Sequence, residues 1–361
     1  MTTVETHPGR REVEPFPFSL PIVTRLGDTP ISNADIEAYA KKKGVTTASG
    51  TLLTAEKIFA NTGVSTRFES GPLQTQESMA RSIAAELAEA YGGPPNAIVV
   101  SVTHPQRKNL AFAGWNELHQ RGILDEPPTE SNRVPGQYFE VNAACSGLVV
   151  ALAHLYTHAS YYHGKLVYLI ATEGGYRKTL PPLEEDDGET GSLQRTLFTD
   201  GAAGIRGRYG IDFTIVKKPL IKLFCDAEKT LCIPMAPASP PSFTLEIPPP
   251  NGIFQRMKGN PVFKWTNREL PAAIRETIKG TNAKKVILHQ ANGRIIEMQQ
   301  RLFPHLDFPN HIKDTGNTSS ASILFALSEE IKRGTISKGE EVGLIGFGGG
   351  LMIAGAVVKF G

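Results

Sequence analysis

Four short runs, Ala97–Val102, Leu166–Ala171, Val286–Leu288 and Val342–Ile345, are apolar at nearly every position. A strand covered on one face alternates apolar and polar residues. A run without alternation predicts a strand covered on both faces, as in a largely parallel sheet between helices. Two longer segments, Ser146–Ala159 and Ser320–Leu327, consist of small and apolar residues nearly all round. A helix with no polar face is a buried one. Met79–Tyr91 and Ala272–Ile278 carry their charges on one face, which predicts outer helices. Buried helices between covered sheets need more layers than an ordinary α/β domain contains.

The pattern occurs twice. Asn142 falls on Asn317 and Cys145 on Ser320, an offset of 175, and Ala151-Leu152-Ala153 then falls on Ala326-Leu327-Ser328. The same offset lays Gly164–Gly175 (GKLVYLIATEGG) on Gly339–Gly350 (GEEVGLIGFGGG). Upstream, the strand before His104 matches the strand ending at His289 with an offset of 185. The chain therefore reads as two α/β halves, residues 1–187 with Cys145 and residues 188–361 with His289 and Asn317. The Pro, acid and Gly run Pro181–Ser192 is the expected exposed linker, Pro234–Pro250 an irregular loop, and residues 1 to about 16 a loose arm.

Composition narrows the function. In 361 residues, 38 Lys plus Arg against 36 Asp plus Glu leave +2, which argues against a nucleic-acid binder. No stretch approaches the roughly 18 apolar residues of a membrane span, and the polar, Pro-rich start is unlike a signal peptide. Three cysteines without a CxxC pair argue against a disulfide framework or a zinc site and fit a reducing cytoplasm.

Cys145 lies between a strand (Tyr138–Val141) and a buried helix, followed by Ser146 and Gly147. At a helix N-terminus the dipole and unpaired N–H groups favour a thiolate and lower its pKa; a buried structural Cys is the alternative. His289 ends a strand, where α/β sites form. Asn317 precedes the second buried helix, at the entrance equivalent to that of Cys145, and its plain reading is a helix cap. The duplication turns both entrances toward one centre. Gly346-Phe347-Gly348-Gly349-Gly350 is followed by the β-like run Leu351–Val358, not by a helix, so it is no phosphate loop. Its glycines let the backbone pass close to a ligand and offer an N–H to an oxyanion. His154 and His158 have helical metal-ligand spacing but lack a catalytic Glu and a third ligand, so no metal is expected.

Together these segments resemble the β-ketoacyl-acyl carrier protein synthase III group of the thiolase-like superfamily, from about Leu20 to Phe360. The matching motifs are NTGVSTRF (61–68), VNAACSGL (141–148), FTDGAAG (198–204), GNPVFKW (259–265), HQANGRII (289–296), GNTSSAS (316–322) and GFGGGL (346–351). The resemblance implies a five-layered αβαβα fold of two pseudo-repeated halves, usually a homodimer. It makes Cys145 the acyl-accepting nucleophile and His289 and Asn317 its triad partners. The N–H groups of Cys145 and Gly349 form the oxyanion hole and Phe347 the apolar gate. Asn260 and Asn292 take positions contacting pantetheine, and Arg67 one near the nucleotide of coenzyme A. Lys264 and Arg294 take basic positions where an acidic acyl carrier protein docks. No permanent cofactor is implied; coenzyme A or phosphopantetheine thioesters are substrates.

The implied reaction is decarboxylative Claisen condensation of an acyl-Cys enzyme with a malonyl-type thioester, in fatty-acid or polyketide-type biosynthesis. Acyl transfer to an alcohol or amine is one alternative, and a catalytically silent partner subunit another. Two features depart from the group. Arg107–Gln137 is longer than the usual connection, and Glu117 lies 28 residues before Cys145: relatives that condense two acyl thioesters without decarboxylation use a Glu upstream of the nucleophile, while the plain reading is a surface helix Glu.

Overall fold

The computed structural model describes residues 21–46, 50–102, 109–124, 137–175, 177, 191–224, 231–232, 256–257, 259–349 and 351–361. The expected N-terminal arm, the Pro234–Pro250 loop and residues 107–108 and 125–136 of the Arg107–Gln137 connection lie outside the described residues. So does the expected linker up to residue 190; its last two residues already belong to helix Gly191–Leu197.

Two five-stranded sheets carry the fold. The first runs Ile22–Leu26, Gly201–Arg208, Leu166–Thr172, Ala97–Val102, Tyr138–Asn142. Its last three strands are parallel, and the other two add antiparallel. In the second, Lys285–Leu288 lies parallel to Glu341–Gly348, which forms a hairpin with Met352–Phe360. Phe213–Ile215 and Leu220–Leu223 share the far edge of that last strand. The antiparallel pair Leu166–Thr172 and Gly201–Arg208 is thus repeated by Glu341–Gly348 and Met352–Phe360. Because Gly201–Arg208 completes the first sheet, that half runs well past residue 187, and the seam falls between Arg208 and Phe213. The acidic run that suggested the earlier boundary is an insertion within the repeated pair.

Alternation along the strands sorts the layers. Ile98, Val100, Tyr168 and Ile170 pack against helices Gln76–Tyr91 and Leu110–Gln120, while Ala97, Val99, Val167 and Leu169 face the other way. That second face meets helices Gly147–Thr157 and Ser322–Lys332, which also cover Val342, Leu344, Ala354 and Ala356 of the second sheet. Beyond that sheet, Val286, Leu288, Ile345 and Ile353 pack on helices Gly259–Ile278 and Gly293–Leu302. The order is αβαβα. The all-apolar helices form the central layer, where Leu148, Leu152, Leu324 and Leu327 are buried, each contributing roughly 1.5–3 kcal/mol.

The duplication extends to backbone strain. Each central helix is entered through a single 3₁₀ turn, Ala144–Ser146 and Ser319–Ala321. Each turn starts from a non-glycine residue in the left-handed region, Ala144 at φ +46° and Ser319 at φ +49°. An L side chain there costs energy and persists only where the surroundings enforce it, commonly at functional sites. Among the described residues no helix is long and apolar enough to cross a membrane.

Candidate active site

Cys145 sits in the first of these strained turns and is 5% exposed. The second sheet lies directly on it. A Cβ added to Gly346 would come within 2.8 Å of the Ser146 Cα, and one added to Gly348 within 2.9 Å of the Cys145 Cβ and 3.1 Å of its Sγ. Glycine at these positions is therefore a condition for the strand to reach the sulfur. The hairpin then turns so that the Gly349 N–H bonds the Cys145 thiol, and the backbone N–H of Cys145 lies beside it. Across the interface of the halves, Ser319 Oγ donates to Sγ at 3.3 Å.

These donors do not make the resting sulfur a thiolate. Burial pushes the Cys145 thiol up to about 12, against the smaller lowering effects of Ser319 and the two backbone N–H groups, and Glu173 adds to the rise. The expectation of a lowered Cys pKa is corrected: removal from water outweighs the helix entrance. His289 is equally buried, which pulls its imidazole down to about 3, with a bond to the Ser319 main chain opposing. Both groups are neutral near pH 7. Alkylation of Cys145 in the ligand-free protein should therefore rise about tenfold per pH unit through neutral and alkaline pH, because only the thiolate reacts. A rate that levels off below pH 8 would contradict this.

His289 ends its strand with its backbone N–H on the Ile345 carbonyl (2.7 Å) and its Nδ1 2.7 Å from Ser322 Oγ. The Phe347 ring meets it edge-on, 5.3 Å between centroids at 64°. Asn317 is locked by its backbone, its N–H on the Leu197 carbonyl (2.9 Å) and its carbonyl accepting from Thr199 N–H (3.0 Å). Its Oδ1 accepts from Ser319 N–H at 2.8 Å and its Nδ2 donates to the Ala291 carbonyl at 3.4 Å. Ser319 thus touches all three: the sulfur through its hydroxyl, the imidazole and the carboxamide through its main chain. The sequence reading missed it. Its signal was the repeat, since Ser319 is the counterpart of Ala144.

A second group of residues gathers outside this cluster. Asn292 caps helix Gly293–Leu302, its Oδ1 accepting from Arg294 N–H (2.9 Å) and its Nδ2 donating to the Asn61 carbonyl (3.0 Å). Gly63 and Gly293 let the two segments approach, a Cβ on Gly63 coming within 3.1 Å of the Gly293 Cα. Exposed Arg294 lies over the Phe263 ring (5.6 Å) and reaches Asn61 Oδ1 at 3.5 Å. Exposed Lys264 and Asn260 stand on the same helix as Phe263. Asn61, exposed between these groups, was not singled out from sequence.

Two expectations find no support in the geometry. Arg67 is fully buried, its guanidinium donating to the Thr196 and Val64 carbonyls and to Asn33 Oδ1. Burial, then Arg177, lowers its pKa to about 9. It ties Thr66–Glu69 to the segment before Phe198 and cannot meet a nucleotide. Arg67→Ala should lower unfolding stability by about 2–4 kcal/mol by orphaning buried acceptors. A raised KM for coenzyme A thioesters at unchanged stability would restore the ligand role. Glu117 is held ionised by Arg121 (2.8 Å) and Arg81 (3.3 Å) on an outer helix. The first sheet separates that helix from the Cys145 layer of the same chain, so nothing in this geometry supports a base role for Glu117. His154 stacks on Phe139 (3.8 Å, 7°) and bonds Tyr162 Oη (3.0 Å), a packing role.

Known proteins resemble this chain in sequence and fold. A family model described as 3-oxoacyl-[acyl-carrier-protein (ACP)] synthase III C terminal matches residues 275–360. A β-ketoacyl-[acyl-carrier-protein] synthase III of Helicobacter pylori is 33% identical over 243 residues, covering 62% of this chain and 67% of the relative. The chain belongs to the β-ketoacyl-[acyl-carrier-protein] synthase III family. Among solved structures, the synthase III of Aquifex aeolicus superposes with a TM-score of 0.71 at 25% identity, covering 94% of this chain and 98% of the other. The priming β-ketosynthase of the R1128 polyketide biosynthetic pathway gives 0.70 at 24% identity, covering 98% and 99%. These solved structures therefore share the layers of the fold.

Proposed function

We propose that this chain is a ketosynthase that loads an acyl group on Cys145 and extends it with a malonyl-type thioester, in fatty-acid or polyketide-type biosynthesis. The observation that carries the reading is the convergence of Cys145, His289 and Asn317 on Ser319, with the Gly349 N–H on the Cys145 sulfur.

In the first half-reaction the Cys145 sulfur attacks an acyl thioester, its proton is lost, and coenzyme A or carrier thiol leaves with a proton. Charge develops on the carbonyl oxygen. The Cys145 and Gly349 N–H groups stabilise it, an effect of roughly 3–4 kcal/mol per donor. The neutral resting thiol fits a nucleophile unmasked only when substrate enters. In the second half, a malonyl thioester loses carbon dioxide and leaves an enolate. His289 and Asn317 hydrogen-bond its oxygen, and its carbon attacks acyl-Cys145, releasing the sulfur and a β-ketoacyl thioester. The dry wall of Phe347 disfavours the malonyl carboxylate and so favours its loss.

The group around Asn260 and Asn292 suits a pantetheine arm, and exposed Lys264 and Arg294 suit an acidic acyl carrier protein. A second copy of the chain suits Tyr138–Asn142, the strand that ends the first sheet among the described residues. The test is wild-type protein given an acyl-coenzyme A and then malonyl-coenzyme A. Acylation followed by carbon dioxide release supports the reading; acyl uptake without release assigns transfer to another acceptor.

A further inference from the structure

The condensation reading requires His289 to meet the substrate oxygen with an N–H, yet a neutral imidazole carries only one. Resting on that reading, we propose that Ser322 is a positioning residue that fixes the His289 tautomer, leaving Nδ1 bare and Nε2 protonated.

The argument is an accounting of hydrogens. Ser322 is 1% exposed, so its hydroxyl must find partners inside the protein. Among the described residues it has two, the Gln290 backbone N–H at 3.1 Å and His289 Nδ1 at 2.7 Å. The backbone N–H can only donate, so it takes one lone pair of the oxygen. The hydroxyl hydrogen then has one acceptor left, Nδ1, which must be unprotonated to receive it. A proton on Nδ1 would instead leave the oxygen accepting twice and strand a buried hydroxyl hydrogen, at a cost of about 1–3 kcal/mol. The single imidazole proton therefore resides on Nε2, the nitrogen Ser322 does not occupy, and the Ser319 carbonyl that also meets the imidazole is the acceptor that holds it until a substrate oxygen takes its place. Which ring nitrogen is protonated is commonly set this way, by the bond made at the other.

The Gln290 N–H is itself held in place. The Gln290 side chain donates to the Leu288 and Pro309 carbonyls (2.7 and 3.3 Å) and accepts from His311 N–H (2.8 Å). His311 Nε2 meets Glu330 (2.8 Å), a buried carboxylate also bonded by Lys285 Nζ and Thr335 Oγ1, each at 2.6 Å. The donor that commits Ser322 is therefore clamped from the strand before it and the helix behind it.

The test is nitrogen NMR of ¹⁵N-histidine-labelled full-length protein, with His289→Gln to assign its signals, beside acyl loading and carbon dioxide release from malonyl-coenzyme A. Wild type should show a bare Nδ1 and a protonated Nε2. Ser322→Ala should move the proton toward Nδ1, keep acyl loading, and slow decarboxylation about 10- to 100-fold in kcat rather than KM. Ser322→Thr should restore both. A protonated Nδ1 in wild type overturns the proposal, as does Ser322→Ala with tautomer and decarboxylation unchanged. If Ser322→Ala does not fold, the wild-type and Ser322→Thr spectra still decide. If wild type releases no carbon dioxide, the condensation reading fails while the ring signals still report on Ser322.

Discussion

Cys145→Ala should take up no acyl group and lose condensation by on the order of 10⁵-fold or more, yet still release carbon dioxide from malonyl-coenzyme A. The loss is large because the sulfur is the covalent acceptor, and neither Ser319 nor Ser146 can replace it. Ser319 is committed to the sulfur and to the main-chain bonds of the second entrance, while Ser146 is fully buried beneath Gly346. The retained decarboxylation follows from a division of labour: enolate charge is met by His289 and Asn317, which Cys145→Ala leaves in place. Intact-protein mass and a carbon dioxide assay on the same sample check both halves. Acylation of the variant would remove Cys145 from the chemistry.

The second large effect is the reverse. His289→Ala and Asn317→Ala should each keep acyl loading while malonyl decarboxylation falls about 10²–10³-fold, the cost of one oxyanion donor in a buried site. Loading survives because the first oxyanion is met by the backbone N–H groups of Cys145 and Gly349, which neither substitution removes. Asn317→Ala carries an added structural effect, since Oδ1 satisfies the buried Ser319 N–H. Asn317→Asp keeps that acceptor and loses the N–H donors, so it isolates the chemical loss. Equal losses of loading and decarboxylation would mean that these side chains support Cys145 rather than the enolate.

The layers were legible because burial on every face leaves a composition that solvent-facing segments cannot have. The 175-residue offset carried further: helices Gly147–Thr157 and Ser322–Lys332 keep it at both ends, as do the strained residues Ala144 and Ser319. Cys145, His289 and Asn317 could be read because chain position, strand end or helix entrance, fixes where each side chain points. Arg67 could not. An arginine after a polar stretch resembles a surface ligand until Thr196, 129 residues away, supplies the carbonyl that buries it. Ser319 and Ser322 stood inside a quoted motif, but their partners lie 174 and 33 residues away. The thiol pKa was misjudged for a related reason: the helix entrance is local and visible, whereas desolvation comes from the second sheet. The seam between halves was misplaced because composition marks loops, while sheet membership is set by pairing across the fold.

The most direct measurement is peptide-level mass spectrometry of wild-type protein loaded from an acyl-coenzyme A and then chased with malonyl-coenzyme A. One acyl increment should sit on the peptide carrying Cys145 and disappear on the chase, with one carbon dioxide and one β-ketoacyl thioester for each increment lost. An increment on another residue, or an acyl-Cys145 that the chase leaves untouched, would contradict a single pocket in which this sulfur, His289 and Asn317 act in turn.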